Sequence, residues 1–290
     1  MGAAAGWKMQ FEGAVLRMSF PRTVAEALHE LSDAQAIAVA GATWVLRAPL
    51  RQEPLSARFI ALNKVDVLGR FDVAPGAISI GAMVTHDQLA RSLPKAKCLE
   101  ALRNAAAHAA NPGVRRFATI GGNISAYDFS ASDFAAALIS LDATVQIAQA
   151  SGERLMPVSE FLAQRKALQR PWLVTTITVP VDLARASAHV RLPMRRAGDY
   201  PSAILSASAS PQGQWRIGVS AVEDQPRRWH ELECALQGVS PAQAEEAARE
   251  LAGAFLGRDT PGTPGWYRTS VLPVLVRRAA SAIEAQLGRP

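Results

Sequence analysis

Cysteine is nearly missing from this chain: Cys98 and Cys234 are the only two in 290 residues. Two distant thiols cannot carry an iron–sulfur cluster, which takes four ligands, and they make no zinc pattern. They read as small core residues. Histidine is scarce as well. His29, His86, His108, His189 and His230 are scattered, with no HExxH and no paired spacing, so no metal centre is expected. No apolar run approaches the ~20 residues that a membrane helix needs. Residues 1–8 lack the charged end and long apolar segment of a signal peptide, and the expectation is a cytoplasmic protein. Aromatics make up 6% and are not interleaved with basic residues. Although the net charge is +6, no block of five or six basic residues occurs. A nucleic-acid partner is therefore not expected, and an anionic cofactor or partner surface accounts for the excess.

What remains is an ordinary globular composition, 49% hydrophobic and 19% charged. At this length one core has stopped growing, so two or three compact units are expected. Val24 to Leu31 carries apolar residues at helical spacing behind Thr23, and Ala36-Ile37-Ala38-Val39-Ala40 reads as a buried strand. A helical run, 100–110, stops at Asn111-Pro112-Gly113. Beyond Pro180 the pattern changes to successive antiparallel strands, followed by helices over 241–256 and 273–287. Strands and helices are mixed without regular alternation, which favours an α+β fold. The boundary is placed near Val181-Asp182-Leu183.

The stretch Phe117-Ala118-Thr119-Ile120-Gly121-Gly122-Asn123 stands out. Paired glycines let amides converge on an anion, with Thr119 and Asn123 adding side-chain donors. The same residues also suit a plain turn between two strands. Ser130-Ala131-Ser132-Asp133 reads as a capping segment before an apolar helix.

Five separated stretches, in order, resemble the FAD-binding medium subunit of molybdenum hydroxylases, the family of the carbon monoxide dehydrogenase flavoprotein and the xanthine dehydrogenase flavin domain. Val39-Ala40-Gly41-Ala42-Thr43 resembles its first flavin loop (AGGTD or AGGHS). Ile80-Gly81-Ala82-Met83-Val84-Thr85-His86 resembles IGAxxTH, and 114–123 resembles VRNxGTIGGN. Asp133 stands where the family has an acidic residue, and Arg195-Arg196-Ala197-Gly198-Asp199-Tyr200 resembles KRxGDY. Leu275-Val276-Arg277-Arg278-Ala279 also fits. Two departures accompany the matches. Trp44 replaces an expected Asp or Ser, and Phe129 stands where proline is expected.

The resemblance implies an FAD-binding domain over 1–182, in two subdomains of about 1–63 and 64–182, and a smaller C-terminal α+β domain over 183–290. It implies non-covalent FAD cradled by Ala40, Gly41, Ala42, Thr43 and Trp44 on one side. Thr119, Ile120, Gly121, Gly122 and Asn123 face them on the other. Asp133 would contact ribose as well as cap a helix, Val174 would offer its backbone to the flavin ring, and Arg191 would lie beside that ring. Trp44 would either stack on the cofactor or fill its space. His86 would satisfy a helix start or act in catalysis, and Arg195, Arg196 and Asp199 would form a surface cluster or a flavin-proximal one. No catalytic residue is expected on this chain. The implied function is electron transfer within a heterotrimer, itself paired into a dimer of heterotrimers. The molybdenum cofactor would sit on a large partner and two [2Fe–2S] clusters on a small one. The rival readings are a self-sufficient flavin oxidoreductase and a flavin-free scaffold.

Overall fold

The computed structural model describes residues 7–11, 14–54, 56, 58–193 and 200–288. Arg195, Arg196 and Asp199 lie outside the described residues. The chain builds three sheets in succession. The first contains β1 (Trp7–Phe11), β2 (Ala14–Ser19), β3 (Ala36–Val39) and β4 (Arg58–Ala61), in the order β1-β2-β4-β3. Strand β4 runs parallel to both β2 and β3. Helix α1 (Val24–Glu30) supplies the crossover from β2, and the Thr23 side chain caps it by accepting from the Glu26 amide.

The second sheet is antiparallel, ordered β5-β6-β9-β7-β8. Its strands are β5 (Phe71–Ala74), β6 (Ala77–Gly81), β7 (Thr144–Gln149), β8 (Gly152–Pro157) and β9 (Trp172–Pro180). The long excursion between β6 and β7 carries α2 (His86–Ser92), α3 (Glu100–His108), α4 (Pro112–Arg115), α5 (Ile120–Ser125) and α6 (Asp133–Ser140). Helix α7 (Val158–Gln164) joins β8 to β9. Every residue of α6 is buried, as its nearly all-apolar sequence requires of a helix with no polar face. Ser132 caps it, accepting from the Ala135 amide at 2.9 Å.

The third sheet, β10 (Ala186–Pro193), β11 (Pro201–Ala209), β12 (Trp215–Ser220) and β13 (Arg227–Arg228), is an antiparallel meander. Helices α8 (His230–Ala235), α9 (Pro241–Leu251), α10 (Gly265–Ser270) and α11 (Leu272–Leu287) complete this region. All nine residues of β11 are buried, because α6 packs against it as well as α11. Its small side chains (Ser, Ala) permit that approach. Two main cores result. One gathers residues of 27–179 around the second sheet, and the other gathers residues of 186–283. A small seam of Ala131, Ala136, Ile204 and Ala221 lies between them.

Candidate functional site

A cleft of about 800 Å³ opens where the three parts meet. Its first wall is the turn after β3. Ala40, Gly41, Ala42, Thr43 and Trp44 all line it. Gly41 is needed there because a Cβ would stand 1.7 Å from the Phe117 carbonyl oxygen. Ala42 has φ +61°, a left-handed conformation that costs an L-residue about 1 kcal/mol. Among the described residues, no protein acceptor takes the amides of Gly41, Ala42, Thr43 or Trp44. A run of such amides around a left-handed residue is a nest that suits an anion.

The second wall differs from what its paired glycines suggest. Thr119 is the N-cap of α5, and Gly121 and Gly122 lie in its first turn without positive φ. The Ile120 amide donates to Val84 at 3.0 Å, Gly121 to Ala82 at 2.9 Å and Asn123 to Thr119 at 2.9 Å. Gly122 donates to the Thr119 hydroxyl at 3.1 Å. These four amides are therefore already satisfied. Gly121 is required for packing, since a Cβ would come within 2.5 Å of the Ala82 methyl. Thr85, which caps α2 through a reciprocal box with Gln88, forms an antiparallel bridge with Thr119. The starts of α2 and α5 are thereby tied side by side.

Of the other expected residues, Asn123, Asp133, Val174 and Arg191 line the cleft, while Ile120 is fully buried in the core. Asn123 accepts at Oδ1 from Ser132. Asp133, 4% exposed at the start of α6, is gripped by β10. His189 Nε2 lies 3.0 Å from its Oδ1 and Arg191 Nε 3.2 Å. Arg191 also donates to the His108 carbonyl, and Ser206 holds His189 Nδ1 at 2.8 Å. Val174 sits beside a β-bulge, where pairing jumps from Gln146↔Thr176 to Ile147↔Val174. The extra residue, Thr175, accepts from the Ala82 amide, so the bulge aims this end of β9 at the cleft.

The mouth is aromatic. Trp44 packs on Phe129 at 4.8 Å and on Tyr200 at 6.5 Å, and its indole N–H donates to Asp128 at 2.9 Å. The Arg51 guanidinium stacks 4.2 Å from the Trp44 ring, and Arg47 donates to the Tyr200 hydroxyl. The two positions that depart from the family pattern thus touch each other.

Some residues of the site escaped sequence reasoning. Arg165 is buried, donates to Ile124 O and, at 3.0 Å, to Gln225, and has no bonded carboxylate among the described residues. Burial pulls its guanidinium down to about 10. Among the described residues, Arg47, Arg51, Arg165, Lys166, Arg170 and Arg191 line the cleft against Glu53, Asp128 and Asp133. No run of basic residues announced this, because the cations come from separate segments. The volume lies within the usual range of cofactor sites, roughly 300–1,000 Å³. The open amides, the cationic lining and the small apolar wall fit the pyrophosphate and rings of a dinucleotide such as FAD.

The geometry therefore defines a dinucleotide-type cleft built by two turns and closed by a third sheet. Residues 10–182 match the family described as the FAD binding domain in molybdopterin dehydrogenase, and the chain belongs to that family. It is an FAD-binding oxidoreductase component. Among curated relatives, it is 28% identical to the glyceraldehyde dehydrogenase medium chain of Sulfolobus acidocaldarius, covering 79% of this chain and 84% of that one. It is likewise 28% identical to the nicotinate dehydrogenase FAD-subunit of Eubacterium barkeri, covering 83% and 80%. Of solved structures, a chain of Cu,Mo-CO dehydrogenase superposes with TM-score 0.85 at 23% identity, over 93% of this chain and 97% of that one. A chain of quinoline 2-oxidoreductase from Pseudomonas putida 86 gives 0.83 at 24% identity, over 96% and 100%. These two likenesses bear on the fold alone. Among the described residues no helix is long and apolar enough to cross a membrane.

Proposed function

We propose that this chain is the FAD-carrying electron-transfer subunit of a heterotrimeric molybdenum hydroxylase, assembled as a dimer of heterotrimers. In that reading the substrate is oxidised at a molybdenum cofactor on a large partner. Electrons pass through [2Fe–2S] clusters on a small partner to this chain, and leave to an external acceptor. Bound FAD supplies the redox chemistry, accepting and releasing electrons. The chain's own residues bind and orient it.

The observation that carries the reading is the row of acceptor-free amides at Gly41, Ala42, Thr43 and Trp44, set in a cleft where cations outnumber acids two to one. Those amides would hold the pyrophosphate oxygens. Thr119, Gly121 and Gly122 would form the opposing wall, with Asn123 offering its side-chain amide. Ile120 would anchor that wall from the core. The second carboxylate oxygen of Asp133, which makes no bond within the described residues, would receive a ribose hydroxyl. Val174 would face the flavin ring with its backbone. Arg191 would stabilise negative charge near that ring, which raises the ring's affinity for electrons. The flavin-binding part would end at Asp182, in two subdomains meeting near residue 63, with the C-terminal part following. Names of similar proteins support the partners: medium chains and FAD-subunits are parts of larger assemblies.

The test is a titration of the purified chain with FAD, followed by co-purification from cells. The expected result is a non-covalent complex absorbing near roughly 450 nm, as oxidised flavins do, and a large and a small cysteine-rich chain recovered with it. A chain that stays colourless under excess FAD sinks the proposal.

A further inference from the structure

His86 is held in place but its side chain is left without work. It is the first residue of α2, fixed by the Thr85–Gln88 capping box and by its own amide, which donates to the Ala118 carbonyl at 2.9 Å. The ring is 2% exposed and packs on Phe134 with centroids 4.5 Å apart. Among the described residues neither ring nitrogen makes a well-formed hydrogen bond, the Thr119 backbone being the one polar neighbour near enough to favour the charged ring. Burial drives its pKa down to about 4, against the pull of the Asp133 charge and of the Thr119 backbone, so the imidazole is neutral and keeps one donor and one acceptor. Leaving both unused in the interior is costly, and a phenylalanine would fill the same space without that cost. The residue nonetheless lines the cleft, as do Thr119, Gly121 and Asp133. Rotation about the Cβ–Cγ bond of histidine is soft, so a modest turn of the ring presents a nitrogen to the cleft without moving the backbone.

We infer that His86 is a binding residue of the cleft, whose imidazole hydrogen-bonds a hydroxyl of the bound dinucleotide. A hydroxyl is the matching partner because it can accept or donate, as a neutral imidazole can. A phosphate oxygen would favour a protonated ring instead. The inference rests on the FAD reading above and deepens it by adding a side chain that reads each end of a hydroxyl.

The experiment compares the full chain with its His86→Phe, His86→Leu and His86→Gln variants by FAD titration, alongside apoprotein melting. The wild type binds FAD. His86→Phe and His86→Leu bind about tenfold more weakly, the weight of one hydrogen bond. His86→Gln, uncharged and able to donate and accept, recovers most of the loss. The Phe apoprotein melts no lower than the wild type, since two orphaned nitrogens are gone. Equal FAD affinity in the wild type and in whichever apolar variant folds overturns this inference alone. A wild type that takes up no FAD overturns it together with the cofactor reading.

Discussion

In the turn 40–44, four successive amides have no protein acceptor among the described residues and one alanine is left-handed, whereas in the turn 119–123 the four amides of residues 120–123 are taken and no residue is left-handed. Both turns carry glycine, and in both a Cβ would collide with neighbouring atoms. The difference lies in what the backbone does with the space. In the second turn glycine lets α5 begin against Ala82 and Thr85, and the capped helix closes on itself. In the first turn the chain stays open, and its donors are left for something else. A glycine pair in a sequence therefore marks a close approach. Only the surrounding hydrogen bonds say whether the approach is to protein or to ligand.

The sharpest way to break this contrast is Gly121→Ala. Because the new methyl would meet Ala82 at 2.5 Å, α5 must shift, and a loss of about 3 kcal/mol is expected. Urea titration of the apoprotein measures it. A loss below ~1 kcal/mol would mean that the second turn is not a packing device. Acid sharpens the contrast from the same closed side, where His86 lies next to the Thr119 cap. With a folded pKa near 4 against an ordinary 6.5, its contribution is intact above pH 6.5 and declines as pH falls towards 4. The expected cost is about 3 kcal/mol at the acid end. Denaturation curves between pH 7 and 4, as reference conditions spanning those values, should flatten in His86→Phe. The smallest effect belongs to the open turn. Ala42→Gly relieves the left-handed backbone and should stabilise the apoprotein by up to about 1 kcal/mol, offset in part by glycine's larger unfolded-state entropy. A destabilisation there would show that the methyl is itself packed and useful.

Much of the fold was legible in local patterns. The Thr23 and Ser132 caps, the apolar helix after Asp133 and the C-terminal helix each follow from signals a few residues long. The site was legible only in part. Gly41, Gly121 and Asp133 could be picked out, but paired glycines looked the same whether their amides were open or closed. That distinction depends on Val84 and Ala82, some 37 residues away in sequence. Trp44 and Phe129 were each visible as departures from a family pattern, yet their contact across the mouth was not. The cationic lining was hidden for the same reason, since Arg47, Arg165 and Arg191 belong to three different segments. Local chemistry is written in neighbours, and a cleft is written in the meeting of strangers along the chain.

The grip of β10 on Asp133 has a consequence for how the molecule is made. A chain halted at residue 182 would hold that carboxylate in a half-built interior with neither His189 nor Arg191 to face it, and Arg165 would reach for a Gln225 that does not exist. The region that matches the family, residues 10–182, thus has two of its buried charged side chains held by residues that follow it. Arg191, Tyr200 and Pro201, all beyond residue 182, also line the cleft, so the matched region and the C-terminal sheet share one wall.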